Sequence, residues 1–120
     1  MEFGDVDALA SLGLLYERGY GKFFSKKKAI DNYRMAAERG HAIAQCRLGL
    51  CFATGDGVTQ DYFQAAHFCG LSANQGFTTA EYIMSILVGQ DTAEATSWLE
   101  RAAAKGHEAA TRALAARARW

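Results

Sequence analysis

The segment ATGDGVTQD, residues 53–61, contains the residue types from which ligand-binding loops are built. Glycine-rich loops cradle phosphate groups, and loops with alternating oxygen-bearing side chains bind calcium. Counted from Asp56, the alternating positions of a calcium loop hold Val58, Gln60, Tyr62 and Gln64. These residues do not form a calcium ligand set, and neither glycine spacing typical of a phosphate loop is present. The segment is therefore predicted to be a turn.

A second set of residues that could do chemistry consists of the three cysteines and a nearby histidine. A metal site of Cys51, His67 and Cys69 would lack a paired CxxC motif and a fourth ligand. Residues two apart on a helix point in different directions, which disfavours nucleophilic catalysis by Cys69 with His67. The odd cysteine count favours free, buried thiols in a reducing compartment, and with it a cytoplasmic location. We predict no catalytic residue, no metal and no cofactor.

The charge balance excludes two classes of partner. The chain of 120 residues has 13 lysines and arginines against 13 aspartates and glutamates, so its formal net charge is zero. This balance argues against binding to nucleic acid or to a membrane surface, both of which need a basic excess. No apolar run approaches the length of a membrane span, and the N-terminus lacks the pattern of a signal peptide. We interpret the lysines at positions 22, 26, 27 and 28 as a solvated face.

The elements that position these residues follow from an internal repeat. Three glycines are spaced 36 residues apart and a fourth follows after 30, namely Gly4, Gly40, Gly76 and Gly106. At the offset of 36, the glycines of the turn, Gly55 and Gly57, correspond to Gly19 and Gly21. Many small and apolar positions coincide at the same offset, so the chain is predicted to consist of about three similar units.

Each unit is predicted to contain two helices, since apolar residues recur at helical intervals in both halves. Ser25, Asp61 and Asp91 are the predicted N-caps of the second helices, because their side-chain oxygens accept orphan backbone N–H groups. The glycines at 40, 76 and 106 suit the left-handed position that ends a helix. The predicted helices cover residues 5–18, 26–39, 42–54, 62–75, 78–89, 92–105 and 107–118.

The segments ALASLGLLYERGYG and AIAQCRLGLCFATGDGVTQDYFQAAHFCGLSANQG resemble Sel1-like repeats. The shared pattern is Ala…LG..Y..G.G, followed by D…A, an aromatic pair and AA..G. The third unit departs from it, with Ser85 for the helix glycine and Val88 for the aromatic residue. The resemblance implies an all-α, right-handed α-solenoid of antiparallel helix pairs, similar to tetratricopeptide arrays. Its repeats would cover residues 5–40, 41–76 and 77–106, with a capping helix at 107–120.

The resemblance also implies an adaptor or scaffold that binds a partner peptide or helix on the concave face of the first helices. By analogy with tetratricopeptide geometry, the outward positions lie at −6, −3, +1 and +4 from the helix glycine. Leu14, Leu50 and Ile86 would then stack as an apolar strip beside charged residues, which is typical of a binding groove. The predicted partner-binding residues are Leu14, Glu17, Ile43, Cys46, Leu50, Tyr82, Ile86 and Arg112.

We therefore predict a non-enzymatic protein-interaction module, of the kind that acts in signalling, protein quality control, virulence or toxin immunity. One alternative is a small-molecule hydrolase or penicillin-binding activity, as in cysteine-rich relatives. Alanine stands at Ala37, Ala73 and Ala103, where those relatives would carry cysteine, so that transfer fails. Another alternative is a structural spacer of a longer array, which self-associates through an uncapped N-terminal face near Gly4.

Overall fold

The structure is a computed structural model that describes residues 6–18, 25–89 and 92–117, with side chains from residue 10 onward. These residues form seven α-helices and contain no strand. The helices are α1 (Val6–Arg18), α2 (Lys26–Glu38), α3 (Ala42–Thr54), α4 (Tyr62–Asn74), α5 (Thr78–Leu87), α6 (Ala93–Ala104) and α7 (Glu108–Arg117). The seven predicted helices are confirmed, and every described end lies within two residues of its predicted position.

The helices stack as an α-solenoid of antiparallel pairs, α1 with α2, α3 with α4 and α5 with α6. Each helix packs mainly on the helices before and after it, and the molecule measures 50 × 30 × 25 Å. The buried side chains form three successive clusters along this length. Stability therefore comes from interfaces between neighbouring helices, as in other repeat proteins. Within the described ranges, no helix has the length and hydropathy that crossing a bilayer requires.

Polar side chains cap α2 and α4 where the sequence predicts them. Ser25 Oγ accepts an N–H from the first turn of α2 at 3.2 Å, and Asp61 Oδ1 accepts two from α4 at 3.0 and 3.2 Å. Both predicted N-caps are thereby confirmed. The third, Asp91, lies outside the described residues, and the N-cap of α6 is Thr92. The predicted closing glycines have left-handed backbone, with φ of 91°, 87° and 89° at Gly40, Gly76 and Gly106.

The segment at residues 53–61 is a turn, as predicted. Gly55 and Gly57 have positive φ angles of 74° and 81°, which reverse the chain after α3. Asp56 lies between them, and its Oδ2 is 2.9 Å from Nζ of Lys26 in the preceding unit. This hydrogen bond raises the pKa of Lys26. The carboxylate that suggested a calcium loop therefore joins two repeats.

A polar contact attaches unit two to unit one. Gln75, the C-cap of α4, donates from Nε2 to the carbonyl oxygen of Gly40 and to Oε1 of Gln45, both at 2.8 Å. Gln45 donates in turn to the carbonyl oxygen of Ala37 at 3.1 Å. We call Gln45 and Gln75 a junction pair, because together they bind the backbone that closes the preceding unit.

Unit three carries charges at the same two positions. Lys105, the C-cap of α6, donates from Nζ to the carbonyl oxygen of Gly76 at 2.6 Å. It also donates to Oε1 and Oε2 of Glu81 at 3.1 and 2.9 Å. The Glu81 side chain is only 2% exposed, whereas that of Lys105 is 42% exposed. Glu81 and Lys105 are thus a second junction pair, in which an ion pair takes the place of two amides.

Candidate interaction groove

Two adjoining clefts lie between α1 and α3, on the face of the solenoid that the first helices of the units form. The first cleft has a volume of about 390 Å³ and the second about 70 Å³. Arg47 lines both clefts, and we refer to the two clefts together as the groove. The first cleft is lined by Ala10, Ser11, Leu14, Tyr33, His41, Ile43 and Arg47. The second is lined by Glu17, Arg47, Leu50, Cys51, Thr54 and Asp56.

Four of the predicted partner-binding residues lie in this groove. Leu14 and Ile43 line the first cleft, whereas Glu17 and Leu50 line the second. Ile43 and Leu50 are 46% and 38% exposed, so they present apolar surface to solvent. The repeat brings these side chains together, because it places equivalent turns of α1 and α3 next to each other along the solenoid.

Arg47 is held at the boundary between the clefts by Glu17. Its Nη1 lies 3.4 Å from Oε1 of Glu17, and the two side chains are 30% and 21% exposed. Tyr33 donates its phenolic O–H to the same carboxylate oxygen, and Nζ of Lys26 lies 3.9 Å from the other. Burial, together with the hydrogen bond to Glu17, raises the pKa of Tyr33, which further favours the protonated phenol that donates to Glu17. The carboxylate of Glu17 thus connects α2 and α3 to α1.

The burial of Cys46 corrects the prediction that this residue faces a partner. Cys46 is 2% exposed and packs against residues of α4 and α5 in the second core cluster. Ala10, at the equivalent position three residues before the helix glycine, is buried as well. Cys46 faces α4 and α5, whereas Ala10 also lines the first cleft. The position one residue later, held by Ser11 and Arg47, lines the cleft in both units.

The remaining predicted residues lie further along the first-helix face and line neither cleft. Ile86 is 49% exposed on α5. Tyr82 is half-buried, and its ring stacks on that of His107 with centroids 4.7 Å apart. Arg112 is exposed on α7, where its Nη2 lies 3.7 Å from Oε2 of Glu108. Of these three side chains, Ile86 is the one that presents an exposed aliphatic surface.

Sequence reasoning missed the residue that joins the two clefts, Arg47. The sequence does contain a signal for Arg47, because residues spaced four, three and four apart lie on the same face of an α-helix. On α3 these residues, all of which line the groove, are Ile43, Arg47, Leu50 and Thr54. His41 also lines the first cleft, and its Nδ1 accepts the N–H of Ala44 at 3.1 Å as the N-cap of α3.

The three cysteines are free and buried, as predicted. Burial raises the pKa of Cys46 and Cys51 to about 11 and the pKa of Cys69 to about 12. A nucleophilic cysteine needs the opposite, namely a lowered pKa and an accessible sulfur. Within the described residues, no three His, Cys, Asp or Glu side chains are grouped as a metal site requires.

We expect the folded chain to resist thiol alkylation. A thiol with a pKa of about 11 holds little thiolate at mildly alkaline pH, and burial also keeps the reagent away. Labelling with iodoacetamide should therefore be at least about 100-fold slower than in concentrated guanidinium chloride. Mass spectrometry of the cysteine-containing peptides follows each rate. Rapid labelling of any of the three thiols in the folded chain would contradict this expectation.

Comparisons with known proteins identify the fold as that of Sel1 repeat proteins. Three segments match the family model of the Sel1 repeat, at residues 6–41, 42–77 and 81–107. The crystal structure of a Sel1 repeat protein from Oxalobacter formigenes has a TM-score of 0.83 at 35% identity, over 91% of this chain and 86% of that chain. A protective antigen present in uropathogenic Escherichia coli strains, which displays an SLR fold, has a TM-score of 0.84 at 31% identity. That match covers 89% of this chain and 24% of the antigen.

Two curated relatives are regulators. The exopolysaccharide production negative regulator of Rhizobium leguminosarum bv. viciae is 45% identical over 51 residues, which are 42% of this chain and 19% of that protein. Chitin synthase regulatory factor 2 of Schizosaccharomyces pombe is 31% identical over 86 residues, which are 71% of this chain and 17% of that protein. The chain thus spans about a fifth of the length of these relatives. Sel1 repeats generally mediate protein–protein interaction, and with three matching units this chain belongs to the Sel1 repeat family.

Proposed function

We propose that this chain is a non-enzymatic adaptor module that binds a segment of a partner protein along its first-helix face. The observation that carries the proposal is the groove between α1 and α3, where Leu14, Ile43 and Leu50 present apolar surface around one arginine. An apolar groove beside charged side chains is typical of sites that accept a peptide or a helix. Ile86, at the equivalent position of α5, is 49% exposed.

The spacing of the apolar residues suggests how a partner would lie. Leu14, Leu50 and Ile86 are 36 residues apart, so they occupy the same place in successive units. A partner segment that runs along the solenoid would meet a similar apolar contact at each step. The first cleft, at about 390 Å³, is within the size range of sites that enclose ligand groups. The partner is therefore expected to cross α1, α3 and α5 in turn.

Two further observations support the proposal. The similar proteins include a negative regulator of exopolysaccharide production and a chitin synthase regulatory factor, which favours a regulatory adaptor role for this chain. The cysteines favour a non-enzymatic role, because burial raises their pKa and so suppresses the thiolate that a hydrolase would use.

The double variant Leu50→Glu/Ile86→Glu tests the proposal. Both side chains are partly exposed in the free chain, at 38% and 49%, so the new charges should leave the fold intact. We expect at least about a tenfold loss of the proteins captured from a lysate of the source organism, because a bound partner would desolvate two carboxylates against apolar atoms. Quantitative mass spectrometry measures capture, and thermal melting checks that the variant is folded.

Phe63→Glu is the matched control. Phe63 is 91% exposed on α4, outside the groove, so the same substitution there should leave capture unchanged. Equal capture by the wild-type chain and a folded double variant would contradict the proposal. Loss of capture in Phe63→Glu alone would also contradict it, since the partner would then lie on the second-helix face.

A further inference from the structure

The first cleft carries a positive charge beside an aliphatic wall. Of the described residues that line it, only Arg47 bears a formal charge, and none is a carboxylate. Leu14 and Ile43 form the aliphatic part, and Ile43 is 46% exposed. This combination of side chains is suited to a ligand that brings both an apolar group and a negative charge.

Arg47 retains hydrogen-bonding capacity for such a ligand. A guanidinium has five N–H donors in a planar fork. Within the described residues, the ion pair of Arg47 uses Nη1 alone, at 3.4 Å from Oε1 of Glu17. Glu17 is itself fixed by the hydroxyl of Tyr33, so the guanidinium is oriented before any ligand arrives. An oriented guanidinium with spare donors favours bidentate recognition of a carboxylate.

The second cleft is lined by two carboxylates, Glu17 and Asp56, together with Arg47. Glu17 is paired with Arg47, and Asp56 is paired with Lys26 at 2.9 Å. An additional carboxylate in this cleft would meet two others, whereas an apolar side chain would meet Leu50. A negative group on a ligand is therefore accepted at the boundary of the first cleft and disfavoured further along.

We propose that the groove recognises a peptide segment that presents an aliphatic side chain and a carboxylate on the same side. The aliphatic side chain packs on Leu14 and Ile43, and the carboxylate accepts two hydrogen bonds from Arg47. The second cleft takes an apolar residue and rejects an acid. This specificity rests on the function proposed above, since it assigns the chemistry of the partner to the same groove.

Selection from a phage-displayed library of random peptides tests this specificity on the full chain. The wild-type chain is expected to enrich sequences in which Asp or Glu accompanies Leu, Ile, Val or Met. Arg47→Glu should enrich Lys or Arg at that place instead. A selected peptide with its acid changed to the matching amide should bind the wild-type chain about 10- to 100-fold more weakly by fluorescence anisotropy. Against Arg47→Gln, the acid and amide peptides should bind equally.

Two controls keep the outcomes distinct. Lys27→Gln removes a positive charge from an exposed position of α2 outside the groove and should leave the selected sequences unchanged. Arg47→Lys retains the positive charge but lacks the planar guanidinium, so it should keep the preference for an acid and bind more weakly. This variant replaces Arg47→Gln if Arg47→Gln is unfolded.

Three results would overturn this inference. The library could yield no peptide, or peptides without an acid, or acidic peptides that bind Arg47→Glu as well as the wild-type chain. The broader function is decided separately, by capture with Leu50→Glu/Ile86→Glu. If the selected peptides contain no acid and do not bind Leu50→Glu/Ile86→Glu, the groove is still the binding site, and only the role of Arg47 is refuted.

Discussion

Replacement of Lys105 by methionine is expected to lower the free energy of unfolding by about 2 to 4 kcal/mol. The Glu81 carboxylate is 2% exposed and lies 2.9 Å from Nζ of Lys105, so the variant leaves a buried charge without its cation. It also removes the hydrogen bond from Nζ to the carbonyl oxygen of Gly76. This decrease in the free energy of unfolding lies at the lower end of the range for a broken buried ion pair, or below it. The reason is that Lys105 is 42% exposed, so water can reach the site. Urea denaturation followed by circular dichroism measures the decrease.

The first junction pair supplies the control for this experiment. The double variant Glu81→Gln/Lys105→Gln reproduces the amides of Gln45 and Gln75, which form the same contacts one unit earlier. It should lie within about 1 kcal/mol of the wild-type chain, because no charge is then buried. Arg112→Met removes an exposed ion pair and should cost less than about 0.5 kcal/mol. A Lys105→Met variant as stable as Arg112→Met would show that Glu81 does not depend on its partner.

Substitution of Gly49 by alanine is expected to cost about 2 to 3 kcal/mol, even though alanine favours helices by roughly 1 kcal/mol. A Cβ at Gly49 would overlap Sγ of Cys69, and it would lie 3.0 Å from the backbone nitrogen of Cys69 and 3.1 Å from the carbonyl oxygen of Ala65. Two of these neighbours are backbone atoms, so α3 and α4 would have to move apart. Chemical denaturation compares the variant with the wild-type chain.

Gly70→Ala is the matched substitution, for which we expect the opposite change in the free energy of unfolding. Gly70 also lies inside a helix, but an added Cβ would meet only Cε of Met84 at 3.8 Å, an ordinary contact distance. The gain in helix propensity should therefore raise the free energy of unfolding by up to about 1 kcal/mol. Adding Cys69→Ala to Gly49→Ala should recover only part of the loss, since the backbone contacts remain. Equal effects at the two glycines would contradict close packing at Gly49.

Most of the scaffold is predictable from the sequence because its signals are local. The glycine register, the helical period of apolar residues and the caps at Ser25 and Asp61 each depend on a few neighbouring residues. These features are sufficient to place the seven helices within two residues. The apolar positions Leu14, Leu50 and Ile86 are predictable for a related reason. They are the same position of the repeat, which carries an apolar residue in all three units.

The details of the groove are less predictable because they depend on how the helices pack. Cys46 and Arg47 are one residue apart, which is a rotation of about 100° around α3. Which of them faces the groove is decided by the close approach of α3 to α4 at Gly49. The repeat gives no help, since Ser11 and Ile83 occupy the position equivalent to Arg47 and share no chemistry with it.

The junction pairs escape prediction for a different reason. Gln45 and Gln75 are 30 residues apart, so no local pattern connects them. Their counterparts, Glu81 and Lys105, have other residue types, and an alignment of the units shows no common identity at either position. The requirement that they share is complementary hydrogen bonding, which becomes visible only when the two side chains are placed next to each other.

The junction pairs have a consequence for how such a chain changes in evolution. Each pair lies entirely within one unit, and what it binds in the preceding unit is backbone carbonyl oxygen, that of the closing glycine in both pairs and also that of Ala37 in the first. At the junction pair, a unit therefore needs no particular side chain of its neighbour, in contrast to the ion pairs of Arg47 with Glu17 and of Asp56 with Lys26. A duplicated, lost or exchanged unit would therefore need no compensating substitution for this one contact. The same backbone contact can then recur at each boundary of an array, whichever side chains the preceding unit carries.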